Sequence, residues 1–209
     1  MKTFLFQGDS ITDAGRFRDN YDGSGSRGYP TLVAASYGMD HPGEMLFVNR
    51  AVSGDRSVSL YERIKADILN VKPDYISILI GVNDVWHELS DNPNGVSDEK
   101  YFRVYSMLIE EIKEALPDVK IFILEPFVLK ASATEGSWDY FRSEVEKRAA
   151  SAKRIAEKYG LIFIPLQEKF DKAATLAEPS FWLADGVHPA PAGHELIKRE
   201  LIKALEENK

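Results

Sequence analysis

The chain has 209 residues, long enough to bury a substantial core, and reads most simply as one domain, residues 1–209. Its 33 acidic side chains outnumber 26 basic ones, for a net charge of −7, which speaks against nucleic acid as a partner. There is no cysteine, so disulfides, thiolate catalysis and cysteine-ligated zinc are excluded.

The chain opens with MKTFLFQGDS, whose apolar run is too short for a signal peptide. No later segment approaches the ~20 apolar residues of a membrane span. A cytoplasmic protein without a membrane partner is expected. In chain order, strands are predicted at 3–7, 46–49, 75–80, 120–124 and 161–165. Each is rich in Val, Ile, Leu or Phe and bounded by Gly, Pro, Asn or Asp. Helices are predicted between and after them at 30–37, 57–70, 98–116, 138–159 and 192–207. In the third of these, Phe102, Tyr105, Leu108, Ile109 and Ile112 form one stripe, and Ser97 or Asp98 is placed to cap it.

Strands alternating with helices imply an α/β fold: a parallel sheet with right-handed crossovers and helices on both faces. Five strands suggest a three-layer α/β/α, flavodoxin-like sheet in the order 2-1-3-4-5. No internal repeat, low-complexity tract or interdomain linker interrupts it. The longest irregular stretches are 16–29, 87–98 and 127–137. Open parallel sheets bind ligands beyond the carboxyl ends of their strands, so these loops are expected to line that edge.

The same edge collects chemistry. The first strand runs into Gly8-Asp9-Ser10. The second is followed by NRAVSGDRS, with Asn49 and Gly54. The third runs into GVNDVW, with Asn83 and Asp84. Near the C-terminus, DGVHP places Asp185 and His188 in a loop before the last helix. A serine hydroxyl is a poor nucleophile until a base takes its proton. His188 suits that task, since imidazole titrates near neutrality. Asp185, with Gly186 allowing a tight turn, is placed to orient the imidazole and balance its charge. Candidate oxyanion donors are the N–H groups of Ser10 and Gly54 and the side-chain amide of Asn83.

GDSITD, NRAVSG, GVND and DGVHP, in this order, resemble the four blocks of the SGNH (GDSL) hydrolases across almost the whole chain. The resemblance implies the SGNH fold, with Ser10 as nucleophile, His188 as base and Asp185 as its orienter. It also implies an oxyanion hole of Ser10, Gly54 and Asn83. Ile11 replaces the leucine of the family's name, and Ala51 stands where many members have glycine. The G-x-S-x-G elbow of α/β-hydrolases is absent around Ser10.

Taken alone, Ser10 reads equally as a helix cap. Asp9 and Asp84 read as structural acceptors, Asp13 as a surface or helix-turn carboxylate, and His194 as solvated. No third ligand at suitable spacing joins Asp185 and His188, so neither metal nor cofactor is expected. Trp86 and Trp182 flank the blocks and are candidate substrate contacts, as is Arg27 at the end of the glycine-rich loop 20–30. The resemblance is greatest to intracellular bacterial esterases that deacetylate xylo-oligosaccharides. It implies a serine esterase acting on acetylated oligosaccharides through an acyl-enzyme, and a homo-oligomer. The alternatives are a short-chain lipase or lysophospholipase, a non-catalytic carbohydrate-binding module, and a phosphatase. The last would want metal ligands or a second aspartate two residues after Asp9, and position 11 is Ile11.

Overall fold

The structure is a computed structural model that describes residues 1–15 and 27–209. Strands β1 (Lys2–Gly8), β2 (Met45–Asn49), β3 (Tyr75–Leu79), β4 (Lys120–Leu124) and β5 (Ile162–Ile164) form one sheet in the order β2-β1-β3-β4-β5. Every pairing is parallel, with Phe6 opposite Asn49 and Gly8 opposite Leu79 at the carboxyl end.

Successive side chains of a strand point to opposite faces. β1 therefore sends Phe4 and Phe6 to one face and Leu5 to the other. The first face is aromatic: Phe4, Phe6, Phe47 and Phe122 pack beneath α2 (Tyr29–Asp40) and α9 (Pro191–Glu207). The second is aliphatic: Leu5, Ile76, Ile78, Ile121 and Ile123 pack beneath α3 (Ser57–Glu62) and α5 (Asp98–Ala115). The long helix α6 (Trp138–Tyr159) serves both, giving Phe141 and Val145 to the first and Ile155 to the second. Each large side chain fully buried this way contributes about 1.5–3 kcal/mol.

Helix ends follow their sequence signals. α5 begins where Ser97 Oγ accepts the Lys100 N–H at 3.4 Å, with Asp98 and Glu99 in the first turn. The helix expected over 57–70 is not continuous: α3 ends at Glu62, and a wider π-turn spans Lys65–Leu69. The buried side chains there, Leu60, Ile64 and Ile68, are spaced by four. An α-helix would rotate them by about 40° per step away from the sheet, and a wider turn corrects this drift. Among the described residues, the short α-helices α1 (Ser10–Asp13), α4 (Val82–Trp86), α7 (Gln167–Ala173) and α8 (Pro179–Trp182) were not expected. Of the irregular stretch 16–29, residues 16–26 lie outside the described residues. Among the described residues, no helix is long and apolar enough to cross a membrane.

Candidate active site

β1 ends at Gly8, packed so closely that a Cβ would stand 2.4 Å from the Leu79 carbonyl oxygen and 2.6 Å from Thr12 Oγ1. This close packing brings the start of α1 against the end of β3. Asp9 caps α1, its Oδ1 accepting the Ile11 N–H at 3.0 Å. The capping role thus falls on Asp9, and the Ser10 side chain faces another segment: Ser10 Oγ lies 2.8 Å from His188 Nε2.

On the far side of the imidazole, His188 Nδ1 lies 2.7 Å from Asp185 Oδ2. Asp185 Oδ1 accepts the backbone N–H of His188 at 2.8 Å and of Val187 at 2.9 Å. Burial works to raise the Asp185 pKa, but these hydrogen bonds outweigh it and bring it down to about 2. In return, the hydrogen bond to Asp185 raises the His188 pKa above its ordinary value against the opposing effect of burial.

The loop carrying this pair is pinned by backbone bonds. Leu129 N–H donates to Gly186 O at 2.9 Å, and Ala133 N–H donates to Asp185 O at 2.9 Å. Thr134 is buried and closes that turn, donating from Oγ1 to Leu129 O at 2.7 Å. Gly186 sits at φ +100°, where a Cβ would stand 2.5 Å from Leu129 O. Glycine is required there by both conformation and space.

Gly54 lies in a turn after β2 at φ +85°. Asn83 sits on α4, directly beyond β3, and its Nδ2 donates to Asp55 O at 3.1 Å. An amide nitrogen has two hydrogens, so one remains after this bond. Beside it, buried Asp84 accepts the N–H and the hydroxyl of Ser57. Burial pushes its pKa up to about 6 against those hydrogen bonds. Asp9 is buried too, and burial lifts it to about 7, opposed by the Ile11 N–H and by nearby His188.

The candidate substrate contacts part company. The Trp86 ring lies 5.8 Å from the His188 ring and packs edge-on against Phe141. Trp182 instead lines a groove of about 440 Å³ between α7 and α9, with Lys169, Lys172, Leu196 and Arg199. Arg27 is exposed, its backbone N–H on Ala14 O at 3.1 Å.

His194 corrects the expectation of a solvated residue. It is buried, and its Nδ1 accepts the Tyr29 N–H at 3.1 Å, capping α2 from α9. Tyr29 OH is in turn 2.9 Å from Thr12 Oγ1, which links this cap to α1. Burial lowers the His194 pKa to about 4, so the ring keeps the lone pair that this bond needs. Asp13 is likewise buried, not at the surface.

A hydroxyl, an imidazole and a carboxylate in one hydrogen-bonded line, beyond the carboxyl edge of a parallel sheet, is the arrangement used by serine hydrolases. Residues 6–196 match the model of the GDSL-like lipase/acylhydrolase family, and the chain belongs to that family. The chain is 31% identical over 207 residues to an acetylxylan esterase of Geobacillus stearothermophilus, covering 96% of this chain and 92% of that protein. The solved structure of the Geobacillus enzyme superposes with a TM-score of 0.86 over 98% of this chain and 94% of that one, at 30% identity. A structure described as a GDSL-like lipase, from Parabacteroides merdae, reaches a TM-score of 0.90 at 35% identity, covering 98% and 95% of the two chains. Catalytic mutants of the Geobacillus esterase replace a serine, an aspartate and a histidine by alanine. This chain shares the sheet order of that fold and is a carboxylic ester hydrolase.

Proposed function

We propose that the chain is a serine esterase that removes acetyl groups from sugar hydroxyls, with acetylated xylo-oligosaccharides as its substrate class. The observation that carries this reading is the line from Ser10 Oγ through the His188 ring to Asp185, at 2.8 Å and 2.7 Å. Asp185 stays ionised far below neutrality and accepts the proton on His188 Nδ1. That leaves the Nε2 lone pair for the Ser10 hydroxyl.

Ser10 Oγ attacks the ester carbonyl as its proton passes to His188 Nε2. Negative charge then develops on the carbonyl oxygen. The N–H groups of Ser10 and Gly54 and the remaining Asn83 amide hydrogen stabilise it. His188 gives its proton to the departing sugar oxygen, which leaves Ser10 acetylated. Water, deprotonated by the same His188 Nε2, attacks the acetyl carbonyl; the bond to Ser10 Oγ breaks, His188 returns the proton to Oγ, and acetate leaves.

The sugar assignment is supported by similarity to the Geobacillus acetylxylan esterase. It is also supported by Trp86, whose ring lies 5.8 Å from that of His188, since an aromatic ring beside the base suits the apolar face of a pyranose. A lipase-like preference for longer acyl chains is the second reading, favoured by the Parabacteroides structure. Turnover of p-nitrophenyl acetate by wild type and Ser10→Ala tests the nucleophile, with a loss of about 1,000-fold or more expected. Undiminished turnover in the variant refutes it. Octanoyl esters and acetylated xylo-oligosaccharides then separate the two substrate readings, and a preference for octanoyl favours the lipase.

A further inference from the structure

Asp13 stands one turn after Ser10 on α1. Its Oδ2 accepts two hydrogen bonds from a single residue of another loop: Ser53 N–H at 3.0 Å and Ser53 Oγ–H at 2.7 Å. Ser53 immediately precedes Gly54. The segment from Val52 to Asp55 is a β-turn, closed by Asp55 N–H on Val52 O at 3.1 Å, with Gly54 at φ +85°. A positive φ at the third position marks a type II turn. Types I and II differ by rotating the central peptide through roughly half a turn. Here that peptide joins Ser53 to Gly54, and its N–H is the Gly54 donor. One peptide flip would point the donor the opposite way.

The end of β1 and the short helix that carries Ser10 together grip this turn. Besides the Asp13 bonds, Asn49 Nδ2 donates to Thr12 O at 2.8 Å, and Val52 N–H donates to Gly8 O at 3.1 Å. These last two anchor the entry to the turn. Among the described residues, Asp13 holds the residue whose peptide can flip.

We propose that Asp13 is a positioning residue of the oxyanion hole. Its carboxylate fixes Ser53 so that the Gly54 N–H faces the point shared by Ser10 N–H and Asn83 Nδ2. The proposal rests on the reading of Gly54 as an oxyanion donor. Asp13 acts through Ser53 and takes no part in proton transfer.

The test measures kcat, KM and the pH profile of the full chain on p-nitrophenyl acetate, with melting temperatures. Asp13→Ala lowers kcat by about 10- to 100-fold and leaves KM within about threefold, because the donor acts in the transition state. Asp13→Asn restores kcat to within about fivefold of wild type, since its amide oxygen accepts the same two hydrogen bonds. The acid limb, set by His188, keeps its midpoint in both variants. A kcat for Asp13→Ala within twofold of wild type, beside an inactive Ser10→Ala, overturns the positioning role and leaves the esterase mechanism standing. A loss that Asp13→Asn does not restore, or a shifted acid limb, also overturns it. Full turnover in Ser10→Ala removes the underlying mechanism and the proposal with it. If Asp13→Ala does not fold, Ser53→Ala decides: a lowered kcat at unchanged KM supports the role, and an unchanged kcat overturns it.

Discussion

The two halves of the proposed active site are built differently. Ser10, the Gly54 turn and Asn83 come straight off the carboxyl ends of β1, β2 and β3, and the polar groups that support them are sealed. Asp9 and Asn49 are each 1% exposed, and Asp84 is 0% exposed. The base half is a loop far along the chain, with side-chain exposures of 40% for His188 and 30% for Asp185. Backbone bonds from Leu129 and Ala133 tie it to the turn they belong to. Oxyanion donors gain from rigidity and low dielectric, because their worth lies in pointing at a charge before it forms. A general base must exchange protons with water in every cycle, and exposure suits it. On the proposed roles, the strand ends and the sealed groups behind them supply rigidity, with Ser53 and Gly54 themselves exposed, and a pinned loop keeps the base open to water.

After Ser10→Ala, the largest effect is expected where the base half has least slack. Gly186→Ala places a Cβ 2.5 Å from Leu129 O and 2.6 Å from Thr134 Oγ1, at φ +100°. Relief requires the loop to shift, which strains the bonds that the Asp185 and Gly186 carbonyls accept from Ala133 and Leu129. We expect kcat to fall more than about tenfold, with about 1–3 kcal/mol of stability lost to strain. Chemical denaturation and steady-state kinetics measure both. An unchanged kcat would show that the base loop is not anchored at this point.

A smaller effect probes the sealed half. An unperturbed aspartate titrates near 3.8, whereas burial brings folded Asp9 to about 7. Between these values the folded chain binds the proton more tightly than the unfolded chain. Each rise in pH through that window therefore costs stability, and above it the full penalty is present. Asparagine does not titrate and keeps the oxygen that caps Ile11. Relative to wild type, Asp9→Asn should gain melting temperature as pH rises from about 4 to about 8. A difference that does not change with pH would mean that Asp9 titrates normally.

Much of this was legible in the sequence, for physical reasons. Short runs such as YISILI, cut off by glycine and asparagine, read as buried strands, and their alternation with helices implied the parallel sheet. Four polar blocks at strand ends pointed to one edge. The helices α1, α4, α7 and α8 were not legible, since four to seven residues are too few to show a helical period. The burial of His194 and Asp13 was equally hidden. Their partners, Tyr29 and Ser53, are distant in sequence and meet them only once the sheet has formed. Trp86 and Trp182 looked alike as aromatics beside a block. The first follows a strand end within one short helix, while the second is held against α9, its carbonyl accepting the Ala190 N–H at 2.9 Å.

The most direct test of the central claim, that His188 activates Ser10 as the nucleophile, is labelling with a serine-directed fluorophosphonate. Activity is followed alongside, and the modified peptide is located by mass spectrometry. A single adduct is expected on the peptide containing Ser10, formed in step with the loss of esterase activity and slowing as His188 is protonated. Activity that survives complete modification of Ser10, or is lost through an adduct elsewhere, would contradict it.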